Sequence, residues 1–325
     1  MDRNHISADM VAKELGQQAA IRPSAYKKAK KMWSDRYLYL LLLPVIAYYL
    51  IFHYAPMYGV IISFQDYNMF KGVFGSTFIG LENFRDIFSN SDFYVVLRNT
   101  LMLNCLTLLF GFPGPIILAL LLNEVTSVRF KRSIQTLVYL PHFISWVVVA
   151  SLIIPMLSPR DGIVNAVITA LGGKSIYFMG EASWWIVVYV LAGIWKSIGW
   201  GAIIYLAALT AIDTTLYEAA VIDGAGRWKQ TFYITLPGIR PTIIVLLILN
   251  IGHMMSVGFD QPFLLGNGAV IQVSDVLSTY VYRLGLLSAD VAHSTAVGLF
   301  QAVVNFIMLI GANFLSKKIT GEGIY

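Results

Sequence analysis

The chain has 325 residues, 57% of them hydrophobic and 13% charged, with 23 Lys and Arg against 18 Asp and Glu for a net charge of +5. A soluble domain carries about 45–50% apolar and about 25% charged residues, so this composition excludes a conventional soluble enzyme and points to an integral membrane protein. The single cysteine, Cys105, excludes an intrachain disulfide and a cysteine-rich metal site.

A helix needs about 20 mainly apolar residues to cross about 30 Å of hydrocarbon, and six stretches qualify. Residues 1–36 precede them as a polar, basic cytoplasmic segment containing Lys27, Lys28, Lys30 and Lys31. That segment is too long and too charged for a secretory n-region, and no small-residue cleavage site follows the first apolar run. Its lysines read as topology determinants at an anionic head-group surface. The first span, 37–57, is therefore an uncleaved anchor. A loop of about forty residues, 58–99, holds Gly72, Gly75 and Gly80 and leads to the second span, 100–122. The third span, 134–157, follows a short basic loop with Arg129, Lys131 and Arg132. Pro44, Pro113, Pro115 and Pro155 are expected to kink their helices.

In the next loop, Gly173-Lys174-Ser175 imitates the end of a phosphate-binding motif, but the required earlier glycine is Ile168. The five histidines (His5, His53, His142, His253 and His293) have no ligand spacing. The expectation is a chain with no catalytic residues, no metal site and no nucleotide hydrolysis of its own. The fourth span, 184–209, contains Lys196, a charge that costs about 2.5–3.5 kcal/mol at the middle of a span on insertion scales. Beside it, Trp195 and Ser197-Ile198-Gly199-Trp200-Gly201 indicate close helix packing next to a cavity. Lys196 either lines a translocation path or its gate, partners a carboxylate or a helix C-terminus, or snorkels to the surface from a span whose true bounds lie slightly elsewhere.

The loop 210–240 is the most informative segment. It contains Glu218-Ala219-Ala220-Val221-Ile222-Asp223-Gly224 and, further on, Ile234-Thr235-Leu236-Pro237. Thr215 and Glu218 have capping-box spacing, which starts a short helix there, and Gly224 or Gly226 supplies its left-handed end. A second short helix around 227–233 leads to Pro237 and Pro241, which are expected to turn the chain back into the membrane. Leu216, Val221, Ile222, Phe232 and Ile234 make these faces too apolar for a freely solvated loop. The helix–turn–helix therefore docks on a partner or packs on its own bundle. The fifth span, 241–257, and the sixth, 295–315, complete the set. Asn104, Asn250, His253, Gln301 and Asn305 are neutral polar residues inside spans, serving as interhelical hydrogen-bond partners or lining a path. Asp260-Gln261-Pro262-Phe263 lies at the outer mouth or forms a plain turn.

Placing residues 1–36, 123–133, 210–240 and the tail 316–325 on one side gathers sixteen Lys and Arg there against six on the other, with Lys196 in the fourth span. The asymmetry puts both termini in the cytoplasm. It also assigns the excess positive charge to topology, with no nucleic-acid surface.

The loop resembles the EAA loop of inner-membrane permease subunits of ATP-binding-cassette importers. Glu218-Ala219-Ala220, Gly224, Ile234 and Leu236-Pro237 match every fixed element of that pattern in spacing, and the resemblance extends over residues 37–325. Ile79-Gly80-Leu81-Glu82-Asn83-Phe84 with Asn99-Thr100 is similar to the carbohydrate-uptake branch, and the tail Ser316-Lys317-Lys318-Ile319-Thr320-Gly321-Glu322-Gly323-Ile324-Tyr325 resembles oligo- and polysaccharide permeases, including the alginate-import type. The resemblance implies an all-α type I importer permease fold in a bacterial inner membrane. It implies a coupling helix, with Glu218, Ala219, Ala220, Asp223, Gly224, Leu236 and Pro237, that docks in a cytoplasmic ATPase. Its expected partners are a second, different permease subunit, two ATPase subunits that hold ATP and Mg, an extracytoplasmic solute-binding protein and a saccharide cargo. Lys196, Trp195, Asn250, His253, Gln301 and Asn305 are the candidates for the path. Other solutes remain open within that class. An ion-coupled secondary transporter would carry carboxylates inside its spans, and the six stretches contain none.

Overall fold

Five helical runs are long and apolar enough to cross a membrane: Arg36–Phe64, Ser91–Glu124, Ala182–Leu209, Arg227–Gly252 and Val291–Thr320. The pair Val128–Phe143 and Trp146–Met156, bent by 98°, makes a sixth if it counts as one. The computed structural model describes residues 35–324; the basic segment 1–34, with Lys27, Lys28, Lys30 and Lys31, and the terminal Tyr325 lie outside the described residues. The chain divides into two units, Met1–Gly59 and Val60–Tyr325.

In the first unit, α1 (Arg36–Tyr49) carries Pro44 inside an unbroken helix and passes into a π-turn at Leu50–Tyr54. The rings of Tyr48, Tyr49, Phe52 and His53 pack with centroids 4.9–5.8 Å apart.

The second unit opens with a two-stranded antiparallel ribbon absent from the sequence expectation, β1 (Gln65–Asp66) with β2 (Thr77–Phe78). Buried Asn83, from the short helix Glu82–Ser89, closes it by donating to the carbonyls of Ser63 and Gln65, both at 3.0 Å. The helices that build the bundle follow, with the short α6 and α8 between them: α2 (Ser91–Glu124), α3 (Val128–Phe143), α4 (Trp146–Met156), α5 (Ala182–Leu209), α6 (Thr214–Ile222), α7 (Arg227–Gly252), α8 (Asp260–Leu265) and α9 (Val291–Thr320). The C-terminal half of α2 packs along α5, and α7 packs along α9. One core joins Leu103, Trp185, Tyr189, Leu265 and Val276; another joins Ala119, Ala202, Tyr205, Leu209 and Ile239 at the opposite end of α5.

Three sequence expectations change. The third stretch, 134–157, is two helices. Pro141 lacks an N–H and sits in the closing turn Leu140–Phe143, Ile144 is extended, and the Ser145 hydroxyl caps a new helix by accepting from the Val148 amide at 3.4 Å. The fifth stretch, 241–257, is displaced: α7 begins at Arg227 and ends at Gly252, so residues 253–257 are a non-helical turn. Pro237 and Pro241 do not turn the chain back. Pro237 stands in the first turn that follows a π-turn at Thr231–Thr235, and Pro241 lies inside the continuing helix. The π-turn displaces the hydrogen-bond register just ahead of Pro237.

The close packing expected around Lys196 is present. A side chain at Gly199 would place its Cβ 1.9 Å from the Val138 carbonyl oxygen, and one at Gly201 would meet the Pro115 ring at 2.9 Å. Glycine here lets α5 approach the α3 backbone directly. Gly298, in α9, has open space where a Cβ would stand. Gly199→Ala is expected to lower stability by about 1–3 kcal/mol, the cost of overpacking, whereas Gly298→Ala leaves it unchanged or raises it. Thermal unfolding of the two purified variants in detergent checks the contrast.

Candidate coupling loop and translocation path

The Glu218-Ala219-Ala220 segment lies on α6, whose start is set by Asp213. Its carboxylate accepts from the Thr215 amide at 2.9 Å. That amide, and then the Thr215 hydroxyl, hold the Asp213 carboxyl below its ordinary range. A lowered native value means the cap contributes stability above the unfolded-state pKa and loses it as pH falls through the native one. The expected Thr215–Glu218 capping box is thus replaced by an aspartate cap; Asp is among the strongest N-cap residues, which is the signal the sequence reading passed over.

Of the two glycines proposed to end the helix, Gly224 does so. It has φ +76°, while Gly226 has φ −69°. The Gly224 amide donates to the Val221 carbonyl at 3.0 Å and the Ala225 amide to the Ala220 carbonyl at 2.8 Å, the two bonds of a Schellman motif. Two further contacts fix the loop on α7. The Tyr217 hydroxyl meets the Thr235 hydroxyl at 3.0 Å, and Gln230 Nε2 donates to the Ala225 carbonyl at 2.9 Å. A Cβ at Gly238 would stand 2.7 Å from Ile212, so α7 also runs tight against the chain entering the loop. Glu218, Ala219, Asp223, Gly224 and Pro237 are exposed, and Ala220 and Leu236 are half-buried. Exposed with them are apolar Leu216, Val221, Ile222, Trp228, Phe232 and Tyr233. The loop is a clipped, projecting surface with an apolar face.

Lys196 stands where the α3–α4 break leaves carbonyls free. Its amine donates to the carbonyls of His142 (2.8 Å), Pro141 (3.3 Å) and Ile144, and lies 5.7 Å from the centre of the Trp146 ring. One turn further along α5, the Trp200 ring stacks flat on His142 at 4.5 Å. Of the alternatives open at this residue, the helix C-terminus is the partner present.

The turn at 253–257 is held by the same device, with neutral groups. Asn104 donates to the Met254 carbonyl at 2.6 Å, Asn305 accepts from the Met255 amide at 2.9 Å, and Gln301 and Asn305 donate to the Ser256 hydroxyl at 3.0 and 2.8 Å. His253 Nδ1 donates to the Leu249 carbonyl at 2.8 Å at the end of α7.

The six path candidates are therefore not gathered in one place. Asn250 lines a cavity of about 290 Å³ among α2, α5 and α7, with Asn104, Thr107, Ser197 and Tyr205. Trp195 lines a different, apolar groove between α4 and α5. Gln301, Asn305 and Lys196 bind backbone or Ser256. Ser197 belongs to the stretch expected beside a cavity, whereas Thr107 and Tyr205 gave no signal because each is an ordinary member of an apolar run; only packing brings the three together.

With this geometry in place, comparison with known proteins is direct. The chain matches the family described as binding-protein-dependent transport system inner membrane component over residues 111–321. It is 48% identical over 291 residues to protein LplB of Bacillus subtilis (strain 168), covering 90% of this chain and 92% of the relative. It is 46% identical over 315 residues to the polygalacturonan/rhamnogalacturonan transport system permease protein YteP of the same organism, covering 95% and 98%. A solved chain of a bacterial alginate ABC transporter, in complex with alginate pentasaccharide-bound periplasmic protein, superposes with a TM-score of 0.83 at 43% identity, covering 91% of this chain and 99% of the other.

Replacing the Lys196 amine by an apolar chain strands the carbonyls of His142 and Ile144, since that of Pro141 also accepts from the Ile144 amide at 3.2 Å. Lys196→Met is expected to destabilise the protein by at least about 1–3 kcal/mol, the cost of buried unpaired polar groups. Lys196→Arg, which keeps a donor, is expected to lose less. Unfolding midpoints in detergent check the order.

Proposed function

The chain belongs to the family of binding-protein-dependent transport system inner membrane components, and from that premise we propose that it is the permease subunit of an ATP-driven importer of oligo- or polysaccharides, acidic ones foremost. The observation that carries this reading is the similarity, at 43–46% identity over more than nine-tenths of the chain, to a polygalacturonan/rhamnogalacturonan permease and to a chain of an alginate transporter. The chain itself is not an enzyme in this reading. ATP and Mg belong to two partner ATPase subunits.

In the finer reading, the bent α3–α4 pair is one of six spans across a bacterial plasma membrane. Residues 1–36 and the tail 316–325 flank the 37–315 permease domain on the cytoplasmic side, as the Lys and Arg asymmetry supports. A second, different permease subunit completes the path, and a solute-binding protein delivers cargo from outside. The loop of about residues 210–240 docks on an ATPase through α6 and the apolar surface around it. Glu218, Ala219, Ala220, Asp223 and Gly224 shape that contact, and Leu236 and Pro237 join it to α7. ATP binding draws the two coupling helices together and opens the cavity outward; hydrolysis resets it. The cycle works because each ligand binds one of two global states more tightly than the other. The cavity lined by Asn104, Thr107, Ser197, Tyr205 and Asn250 is this subunit's share of the path, while Trp195, Lys196, His253, Gln301 and Asn305 stand outside its lining.

Two experiments test the reading. Purification of the intact complex should recover a second permease and two ATPases whose activity rises with saccharide-loaded binding protein; a lone chain that still transports would overturn it. Substitutions at Gly224 test the coupling loop. A Cβ there meets nothing within 4 Å, so the cost is the left-handed backbone alone, about 1–2 kcal/mol for most residues and less for Asn. Import per ATP hydrolysed should fall in the order Gly, Asn, Ala, Val at position 224, and Glu218→Lys should abolish import while hydrolysis continues.

A further inference from the structure

The chain between α7 and α9 folds into a layer at the end of α5 remote from the coupling loop. The Trp185 indole N–H, near the start of α5, donates to the Leu265 carbonyl at 2.8 Å. Leu209, which closes α5 ahead of α6, lies about 36 Å away along that helix at 1.5 Å per residue. Gln261 donates to the Tyr189 carbonyl at 2.7 Å, and Asn99 from α2 donates to the carbonyls of Gln272 and Asp275 at 3.0 and 2.9 Å. The layer is anchored on both helices.

Within it lies a cavity of about 290 Å³ whose lining includes Phe263, Asp275, Thr279, Tyr282 and Arg283. Its chemistry differs from the apolar grooves elsewhere. Arg283 is fixed from two sides, by Asp275 at 2.7 Å and by the Tyr280 ring at 5.4 Å, and Asp275 is itself held by the Thr279 hydroxyl at 2.7 Å. A guanidinium has five N–H donors in a rigid fork; the Asp275 contact occupies one nitrogen, and the side chain is 37% exposed. Phe263 and Tyr282 stand beside it, braced against each other and against Phe259 with centroids 4.7–5.4 Å apart. A second cavity, of about 330 Å³ and lined by Ser158 and Tyr177 among others, shares Gly266 and Asn267 with the first. The turn at 266–267 thus stands between two adjoining hollows, each with an aromatic residue and polar groups.

We propose that this layer is a receiving subsite for an acidic saccharide: the carboxylate of one sugar residue binds Arg283, its ring packs on Phe263 and Tyr282, and the chain continues over the 266–267 turn toward Tyr177. The inference rests on the acidic-saccharide reading above and adds a place of entry and the residues that receive the carboxylate. A planar fork takes a carboxylate through two parallel bonds, aromatic faces suit the C–H face of a sugar ring, and two joined hollows suit a chain better than a single small anion. Asp275 holds the fork in place at the cavity.

The test uses the assembled membrane complex in nanodiscs, with a labelled galacturonate trimer and its methyl-esterified form as probes, alongside import of the acidic trimer into cells. Arg283→Gln should weaken binding of the acidic trimer roughly tenfold or more, the scale of a hydrogen bond to a charged group, and leave the ester's weaker binding unchanged. Arg283→Lys, which keeps the charge without the fork, should fall between. Phe263→Leu should weaken both probes. Equal loss of both probes in Arg283→Gln would mark Arg283 as a scaffold residue and overturn the subsite, as would unchanged binding of the acidic trimer. If the wild-type complex imports the trimer and Arg283 has no effect, only the subsite falls. If the wild-type complex neither binds nor imports any saccharide, the functional reading falls with it.

Discussion

Inside hydrocarbon, a backbone amide or carbonyl has no water to turn to, so every departure from helix must be answered by another part of the protein. The described structure departs twice at the heart of the bundle, at 141–145 and at 253–257, and both departures are answered. At the first, Lys196 reaches the carbonyls that the proline-broken α3 leaves open. At the second, Asn104, Gln301, Asn305 and Ser256 form a neutral network around the turn. The choice of a cation in one place and amides in the other follows from what is exposed. The first break presents carbonyls, and an ammonium is all donor; the second presents both donors and acceptors, and amides offer both. Even the glycine at 199 serves this end, because only without a Cβ can α5 come close enough for the amine to arrive.

The loop between α5 and α7 obeys the opposite condition. It stands in water, and its problem is to hold a fixed shape with an apolar face uncovered. A capped start at Asp213, a Schellman end at Gly224 and the Tyr217–Thr235 contact supply that shape from within the loop. None of these bonds uses Glu218, whose side chain stays exposed.

Much of the architecture was legible in the sequence because burial in a membrane is written in long apolar runs. The helix–turn–helix of the loop was legible because small, acidic and glycine residues recur at fixed spacing. The break in the third stretch was not. Residues 134–157 are apolar throughout, and hydropathy measures transfer energy without direction, so a 98° bend and a straight span score alike. The end of α7 was misplaced for a related reason: Met254, Met255 and Val257 are apolar and buried, yet they leave the helix because Asn104 and Asn305, distant in sequence, hold their backbone. Lys196 was conspicuous as a misplaced charge, but its partners are carbonyls, which no sequence displays. Arg283 follows Tyr282 in the chain, but only folding brings Phe263 and Asp275 to the same cavity.

The continuity of α7 bears on motion. Because the prolines at 237 and 241 do not break it, one helix runs 26 residues from Arg227, in the projecting loop, to Gly252, beside the turn that Asn104 and Asn305 hold. Such a rod is about 39 Å long, and a tilt of about 5° pivoting on Gly238, roughly 21 Å short of the Gly252 end, carries that end sideways by roughly 2 Å. A displacement at the Arg227 end therefore reaches the turn at 253–257 as a lever stroke, with its fulcrum where Gly238 bears on Ile212.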